Sequence, residues 1–343
     1  MSHTIELGLD TFGDVTDGPD GKPLHAAQVM RNLVDEAVLA DEAGVDFIGV
    51  GEHHRADFAV SSPEMVLAAI AVRTQRIRLG SAVTVLSSDD PIRVFQRFSI
   101  LDALSNGRAE VMLGRGSFIE SFPLFGFDLD KYEELFNEKL DLYAAVLGEA
   151  PVTWQGGTRP PLNGQSVYPK TQSGRLKTWI GVGATPQSVL RAARYGMPLM
   201  LAIIGGDPRR FGPFADLYRR ALAEMGKPEL PVGVHSHGFV GDTDAQAKED
   251  LFADYKRMRD RIGAERGWPP LTRDHFEHEI AHGSLYVGAP ETVARRIVAT
   301  MRALDLTRFE LKYSAGPLSH EKMMRSVELY GREVIPLVRE MLG

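Results

Sequence analysis

The 343-residue sequence predicts a single α/β domain, a TIM (β/α)8 barrel with inserted loops. Short apolar or β-branched runs, typical of buried strands, alternate with longer helical patterns along almost the whole chain. About eight such runs are present, and eight strands are the number that closes a parallel barrel. We therefore expect residues 1–343 to form one barrel domain, with insertions near residues 150–176 and 263–290.

The first predicted strand covers residues 5–9 and is followed by a loop rich in Gly, Asp and Pro. A helical pattern over residues 26–43 ends at Gly44 and leads into a second apolar strand over residues 47–50. We predict the remaining strands over residues 77–85, 109–113, 178–182, 199–203, 232–240 and 309–312.

Four of the predicted helices begin with a capping residue followed directly by proline: Ser62-Pro63, Asp90-Pro91, Thr185-Pro186 and Asp207-Pro208. The capping oxygen accepts an unpaired amide, and proline at the first helical position has no amide to leave unpaired. Four such starts soon after apolar runs indicate βα units. An open doubly wound sheet is the rival fold, but the number of strands and the lack of a dinucleotide fingerprint weigh against it.

Two long segments interrupt this alternation. Residues 150–176 contain Trp154-Gln155-Gly156-Gly157 and Pro160-Pro161, which predict a non-helical insertion. Residues 263–290 contain Trp268-Pro269-Pro270 and three histidines, which predict a second irregular stretch. Long excursions from a compact barrel are commonly lids or binding loops.

Composition limits the class of protein. The formal net charge of −7 argues against a nucleic-acid or anionic-membrane partner, because both select a basic face. No apolar run approaches the roughly 20 residues that span a bilayer, and the first residues lack the pattern of a signal peptide. Cysteine is absent, which excludes disulfides and thiolate chemistry. We expect a cytoplasmic enzyme.

The most informative motif is Glu52-His53-His54, because it follows the second predicted strand directly. Functional groups of parallel barrels lie at this end of the strands. The motif has three interpretations: a polar strand end, a metal site completed by His235 and His237, or a histidine that handles protons or faces a cofactor. The third is favoured, with Glu52 or a loop group holding the histidine.

The segment His278-Glu279-Ile280-Ala281-His282 has the spacing of a zinc signature. On a helix the two histidines would share one face, and the glutamate could act as a general base. However, Gly283 follows at once and a double proline lies upstream, so only a short helix is possible. A hydrogen-bonded helix turn is the favoured interpretation.

Two glycine-containing turns could bind one phosphate group. Gly114-Arg115-Gly116-Ser117 follows the fourth predicted strand, and residues 181–188 form a glycine turn that runs into a helix start. Arginine matches a phosphate, and a helix start offers unpaired amides to an anion. Spacing alone supports two structural turns equally well. An aromatic cluster follows, which either walls an apolar pocket or packs under a loop: Phe118, Phe122, Phe125 and Phe127.

A collinear set of motifs is similar to the bacterial luciferase-like flavin-dependent monooxygenases. The first part includes Ala43-Gly44-Val45-Asp46-Phe47, Glu52-His53-His54 and the run over residues 80–86. The second includes residues 101–108, Gly114-Arg115-Gly116, residues 183–186, residues 287–293 and Glu333-Val334-Ile335-Pro336. The resemblance covers most of the chain, and only the inserted segments are unmatched.

This resemblance implies a TIM barrel, usually dimeric, that binds reduced FMN at the carboxyl ends of its strands. His53 matches the catalytic histidine, and Ala82-Val83 matches a non-proline cis peptide beneath the flavin ring. Gly114 stands where luciferase proper has a reactive cysteine, which argues against light emission. The cofactor contacts that the resemblance implies are Ala82, Val83, Gly114, Arg115, Gly183, Ala184, Gln187 and Ser188.

The implied reaction uses reduced FMN as cosubstrate, supplied by a separate NAD(P)H:flavin reductase, and O2. A flavin peroxide then oxygenates a small organic substrate while His53 donates or accepts a proton. Three alternatives stay open: a deazaflavin-dependent oxidoreductase that transfers hydride, a metal-dependent barrel hydrolase, and a flavin-binding protein without catalytic activity. The sequence of the inserted loops does not identify the substrate.

Overall fold

Eight parallel strands close into a barrel in the computed structural model, which describes residues 5–183 and 185–343. Around the barrel each strand pairs with the next, and β1 closes the ring by pairing with β12. This closed barrel confirms the predicted fold class. The strands of the ring are β1 (Glu6–Thr11), β2 (Phe47–Val50), β3 (Arg78–Ser81), β5 (Ala109–Gly114), β8 (Lys177–Val182), β9 (Leu199–Ala202), β10 (Val232–Val240) and β12 (Arg308–Lys312).

Four shorter strands complete the set: β4 (Thr84–Val85), which pairs with β5, the antiparallel hairpin β6 (Val152–Trp154) and β7 (Leu162–Gln165), and β11 (Tyr286–Gly288) beside β10. The helices are α1 (Ala26–Ala43), α2 (Pro63–Ala71), α3 (Pro91–Leu104), α4 (Ser121–Phe125), α5 (Tyr132–Val146), α6 (Pro186–Tyr195), α7 (Gly212–Glu224), α8 (Asp244–Arg266), α9 (Arg273–His282), α10 (Pro290–Leu304), α11 (His320–Leu329) and α12 (Ile335–Leu342). Short 3-10 turns cover Leu86–Ser88, Leu129–Lys131 and Pro208–Phe211, and a π-helical turn covers Tyr330–Val334.

The predicted strand over residues 77–85 is divided into β3 and β4, because the backbone leaves the ladder at Ala82 and Val83. The peptide bond between these two residues is cis, as the resemblance implied. An apolar run in the sequence cannot reveal such an interruption, since both residues remain compatible with a strand.

The second predicted insertion is more regular than expected. Helix α8 extends to Arg266, α9 occupies Arg273–His282, and β11 adds a short strand, so the irregular stretch predicted over residues 263–290 is largely wrong. The first insertion, over residues 150–176, is non-helical as predicted and contains the β6–β7 hairpin.

All four predicted helix starts occur at the expected prolines, but their caps differ. Asp90 and Asp207 accept backbone amides as predicted, whereas the side chains of Ser62 and Thr185 make no capping bond. The segment after Asp207 is a 3-10 turn over Pro208–Phe211 that precedes α7. The proline signal therefore predicted the position of each start better than its geometry.

The main apolar core lies between the barrel strands and the surrounding helices, and is continuous around the ring. A separate, smaller cluster contains Met112, Trp179 and Met200, with Val83 packed against it. Met112, Met200 and Val83 also line a cavity at the carboxyl ends of the strands. Within residues 5–183 and 185–343, no helix is both long and apolar enough to cross a membrane.

Candidate functional site

A cavity of about 650 Å³ opens at the carboxyl ends of the barrel strands. Its wall includes Phe12 after β1, His53 after β2, Gly114 at the end of β5 and His235 in β10. Small-molecule sites have volumes of roughly 300–1,000 Å³, so this cavity is large enough for a cofactor or a substrate. Active sites of TIM barrels lie at this end.

His53 lies against the cavity in an aromatic box. Its ring centroid is 4.6 Å from that of Phe12, 4.2 Å from that of Phe58 and 5.3 Å from that of Phe118. Nδ1 donates a hydrogen bond to the carbonyl oxygen of Glu52, and Nε2 is buried without a partner. Because a carbonyl oxygen only accepts, this bond places the proton on Nδ1 and leaves a lone pair on Nε2.

Burial in this box lowers the pKa of His53 to about 4, although the Glu52 carbonyl and the Asp14 carboxylate act in the opposite direction. The charged imidazolium loses its hydration among aromatic rings, so the neutral form is favoured. His53 is therefore neutral at physiological pH.

The Glu52 carboxylate does not hold His53, contrary to one form of the sequence prediction. It contacts His54 Nε2 at 3.0 Å and accepts the amide of Val85 at 2.8 Å. These contacts join the end of β2 to β4 and fix the loop that carries His53. The backbone of Glu52, rather than its side chain, orients the histidine.

The buried neutral state of His53 predicts a pH-dependent stability. Between an ordinary pKa of 6.5 and the folded value of about 4, the unfolded chain binds a proton that the folded chain does not, so stability falls as the pH falls through this window. On going from about pH 7 to about pH 5, His53→Gln should lose about 2 kcal/mol less unfolding free energy than the wild type. Denaturant unfolding at both pH values measures the difference, and equal losses in the two proteins would contradict it.

Glycines surround the Ala82-Val83 segment and let it approach the neighbouring strands. A Cβ at Gly114 would lie 2.6 Å from Val83 Cγ2, and a Cβ at Gly181 would lie 3.0 Å from Val83 Cγ1. On the other side, a Cβ at Gly49 would lie 2.8 Å from that of Ala82. Any side chain at these positions would displace the platform that Ala82 and Val83 form on the cavity wall.

We expect Gly114→Ala to lower the unfolding free energy by about 1–3 kcal/mol, because the new methyl group overlaps the branched side chain of Val83. Val83→Ala in the same chain should restore much of this loss. Gly205→Ala is the matched control, since a Cβ there would meet no atom of the described chain within 4 Å. Denaturant unfolding of the wild type, Gly114→Ala, Gly114→Ala/Val83→Ala and Gly205→Ala measures these differences in unfolding free energy. Equal stability of Gly114→Ala and the control would show that Val83 moves without cost.

The predicted phosphate site brings together two arginines. Arg115 and Arg191 both contact the Glu133 carboxylate, with a distance of 2.9 Å from Arg191 Nη2 to Glu133 Oε2. Burial and the neighbouring Arg115 lower the pKa of Arg191. Two guanidinium groups around one carboxylate form an arrangement that suits a phosphate equally well. Sequence analysis missed Arg191, which lies in α6 about one turn beyond the predicted loop.

Near these arginines, the start of α6 also offers polar groups. Thr185 makes no capping bond to the helix, and its hydroxyl donates to the Ser188 hydroxyl at 2.8 Å. Ser188 lines the cavity, whereas Gln187 is exposed and does not. Ala184 lies outside the described residues. The predicted cofactor residues that line the cavity are Ala82, Val83, Gly114, Arg115, Gly183 and Ser188.

Two more histidines, His235 and His237, line the cavity. His235 Nδ1 lies 2.7 Å from Asp10 Oδ2. Burial lowers the pKa of His235, but the charge and the hydrogen bond of Asp10, together with the Glu310 charge, raise it above its ordinary value. His237 Nδ1 is buried without a partner, and burial together with the charge of Lys312 holds its pKa well below the usual range. Both histidines, named as possible metal ligands from the sequence, thus lie on the cavity wall.

Only one member of the predicted aromatic cluster reaches the site. Phe118 lines the cavity, whereas Phe122 is fully buried away from it and Phe125 is half exposed. The ring of Phe127 packs against the Lys139 ammonium group at 3.8 Å. Packing under the loop explains most of the cluster, and Phe118 alone contributes to an apolar wall.

Sequence analysis also missed one face of α8. Tyr255, Met258, Arg259, Ile262 and Arg266 recur at helical spacing and all line the cavity. The spacing of three to four residues was available as a signal. This spacing is hard to recognise in the sequence because the helix is polar overall and continues past residue 263, where the irregular stretch was predicted to begin.

No group of three or more potential ligands is arranged for a metal ion among residues 5–183 and 185–343. His278 and His282 lie near the end of α9, with ring centroids 5.1 Å apart. The Glu279 carboxylate accepts the amide of Gly206 at 3.0 Å, so it holds the loop after β9. The His278–His282 segment thus forms a short helix, as predicted.

Comparison with known proteins gives one family and a consistent fold. A family model described as luciferase-like monooxygenase matches residues 11–307. The 4-hydroxyprotoasukamycin monooxygenase of Streptomyces nodosus subsp. asukaensis is 29% identical over 341 residues, which cover 92% of this chain and 90% of that protein.

Solved structures with the same fold carry different cofactors. Monooxygenase RslO1 from Streptomyces bottropensis has a TM-score of 0.84 at 24% identity and covers 97% of this chain and 99% of its own. The oxygenating constituent of 3,6-diketocamphane monooxygenase from Pseudomonas putida, in complex with FMN, has a TM-score of 0.77 at 19% identity and covers 97% and 98%. An F420-dependent secondary alcohol dehydrogenase has a TM-score of 0.76 at 17% identity and covers 98% and 99%. At these identities the likeness shows the fold alone.

Proposed function

Because this chain belongs to the luciferase-like monooxygenase family, we propose that it uses reduced FMN and O2 to oxygenate a small organic substrate. One observation carries the proposal: the cavity is lined by the Ala82-Val83 platform, by Arg115 of the arginine pair and by His53, whose Nε2 has no partner. The finer points, namely FMN itself, the catalytic role of His53 and a separate reductase, are part of this proposal.

The residues of the cavity fit a flavin. The glycine-lined platform at Ala82 and Val83 offers an apolar surface close to the backbone, which suits a flat ring. Arg115 with Arg191 would hold the phosphate in place of Glu133, assisted by the start of α6. When bound, the flavin would supply the oxygen-activating chemistry that no side chain of this protein possesses.

His53 would move the proton. Its Nδ1–H is held by the Glu52 carbonyl, so Nε2 keeps a lone pair that could accept a proton from a substrate in the cavity. Phe12, Phe58 and Phe118 exclude water from this nitrogen. A neutral base that is shielded from water keeps its lone pair at neutral pH. Bulk water also does not compete with the substrate for it.

The test is an anaerobic titration with reduced FMN, followed by rapid mixing with oxygenated buffer while the flavin spectrum is recorded. We expect saturable binding and reoxidation much slower than that of FMN alone. Arg115→Met should weaken binding by about 10- to 100-fold, since it removes a charge-assisted phosphate contact. Failure to bind reduced FMN, together with binding of reduced F420, would replace this proposal with hydride transfer from a deazaflavin.

The separate reductase is tested with the same protein. NADH or NADPH added to the protein and oxidised FMN should leave the flavin spectrum unchanged until a flavin reductase is supplied. Reduction of FMN by the purified protein alone would contradict this part of the proposal.

We also propose that two copies associate through α2 and α3. These helices pack on each other, and exposed apolar side chains lie on α2 at Met65 (71% exposed), directly after α2 at Val72 (66%), and on α3 at Ile100 (49%) and Leu104 (48%). Clustered exposed apolar side chains mark protein interfaces. Sedimentation should show a dimer for the wild type and a monomer for Met65→Glu/Ile100→Glu, whereas Met225→Glu, at the exposed residue that follows α7, should leave the dimer intact. A monomeric wild type would refute the proposal.

A further inference from the structure

Arg259, on the cavity-facing side of α8, is the unusual charge of this site. It lines the cavity, and its Nη1 is buried without any hydrogen-bond partner. Within the described chain, no carboxylate oxygen approaches its guanidinium within 4.0 Å. A buried polar group without a partner is costly, so such a group in a cavity indicates a missing ligand.

The other arginines of α8 are already engaged. Arg257 contacts Asp17 at 2.8 Å, Arg261 lies 3.6 Å from Asp57, and Arg266 donates to the carbonyl oxygen of Ser117 at 3.0 Å. Arg259 differs from them because its Nη1 has no hydrogen-bond partner in the described chain. Its guanidinium carbon lies 4.1 Å from the centroid of the Trp268 ring. This stacking orients the guanidinium plane while leaving its hydrogen-bond donors available.

The carboxylates that line the cavity cannot neutralise Arg259, since each has another partner. Asp14 pairs with Lys312 at 3.0 Å, Glu52 holds His54, and Glu120 pairs with Arg55 at 2.5 Å. Among the arginines that line the cavity, Arg115 forms an ion pair with Glu133. The end of the cavity under α8 therefore keeps an uncompensated positive charge, which disfavours a cationic substrate and favours an anionic one.

The neighbours of Arg259 define the rest of the substrate. Tyr255, Met258 and Ile262 lie on the same face of α8 and line the cavity with Trp268. Burial raises the pKa of Tyr255 to about 12, so its hydroxyl remains a donor at neutral pH. His53 and Phe118 line the same cavity. The site thus offers an apolar chamber, two cations of α8, of which Arg259 has no hydrogen-bond partner at Nη1, and a neutral donor.

We infer that the substrate is an amphipathic organic acid, whose apolar or aromatic body occupies the chamber beneath α8 and whose carboxylate binds Arg259. This inference rests on the proposed function, because it concerns the molecule that the flavin-bearing cavity would oxygenate. Arg259 selects the acid over its neutral analogues, and Trp268 holds Arg259 in position.

The probes are 2-naphthoate and its neutral isostere 2-naphthamide, titrated into protein saturated with FMN so that the phosphate site is occupied. Binding is followed by calorimetry. We expect the wild type to bind the acid at least about 10-fold more tightly than the amide. Arg259→Met should abolish this preference, and Arg259→Lys should retain part of it. Arg257→Met, which removes a neighbouring arginine that is paired with Asp17, should leave it unchanged.

Two results would overturn the inference: equal binding of the acid and the amide by the wild type, or a preference that survives Arg259→Met. A preference that disappears in Arg115→Met instead would place the acid at the phosphate site and refute it as well. Reduced FMN is titrated into the same variants. Arg259→Met that binds reduced FMN normally but keeps the acid preference refutes only the substrate class, whereas absence of FMN binding in every protein refutes the proposed function.

Discussion

Replacing Arg308 by methionine should lower the unfolding free energy by about 3–5 kcal/mol. Arg308 is fully buried inside the barrel, where Nη1 lies 2.6 Å from Glu110 Oε2 and Nε lies 2.7 Å from Glu310 Oε1. Its guanidinium also stacks on the Phe47 ring at 3.8 Å. Removing this cation leaves two buried carboxylates with less compensation, which costs more than the pair contributes in net terms.

The two carboxylates respond differently, and that difference makes the prediction specific. Glu110 keeps Arg78 and Lys177, and although burial raises its pKa, these charges and Arg308 hold it low. Glu310 lacks such additional cations. Burial raises its pKa to about 7 even though Arg308 opposes the shift. Neutralising this residue in Arg308→Met/Glu310→Gln should therefore restore part of the lost stability.

Chemical denaturation of the single and double variants measures these effects. Arg295→Met serves as the control, because Arg295 pairs with Glu291 on the surface and such pairs contribute about 1 kcal/mol or less. A single variant that is as stable as this control would show that water enters the barrel and compensates the carboxylates.

The Arg308 cluster also shows where sequence reasoning reached its limit. The barrel could be predicted because each βα unit is a local pattern, and Pro63, Pro91 and Pro186 mark the starts of three of its helices. Glu110 and Arg308 are 198 positions apart, and a charged residue in an apolar strand gives no sign of its partner. Strand pairing around a closed barrel brings them together, and that pairing is not encoded locally.

The candidate site, like the barrel, could be predicted only where its residues lie in a local sequence pattern. His53 was predicted because it follows a strand directly, and Arg115 because it lies in a glycine turn at the same end of the barrel. Arg191 and Arg259 were missed because they lie within helices, where arginine is common and usually solvated. Arg259 stands out because its Nη1 has no hydrogen-bond partner in the described chain, and only the folded structure shows this.

The largest effect on activity is expected at His53, which is assigned here as the proton acceptor. His53→Ala should bind reduced FMN within about threefold of the wild type, because the phosphate contacts and the Ala82-Val83 platform lie elsewhere on the cavity wall. Its single-turnover yield of oxygenated product should fall by about 10²- to 10⁴-fold, which is the usual contribution of a positioned acid or base. The assay uses an acid accepted by the wild type in the binding experiment.

The pH profile separates this role from a structural one. Since burial lowers the pKa of His53 to about 4, the wild-type rate should show no protonation step of this residue between about pH 5.5 and 8. His53→Gln fills the aromatic box but lacks the basic nitrogen, so it should be stable at neutral pH yet as inactive as His53→Ala. His278→Ala, on α9 outside the cavity, should retain the wild-type yield. If His53→Gln were active while His53→Ala was not, the side chain would be needed to fill the box, and the proton would move by another group. His235 would then be the next candidate, because it lines the same cavity and is held by Asp10.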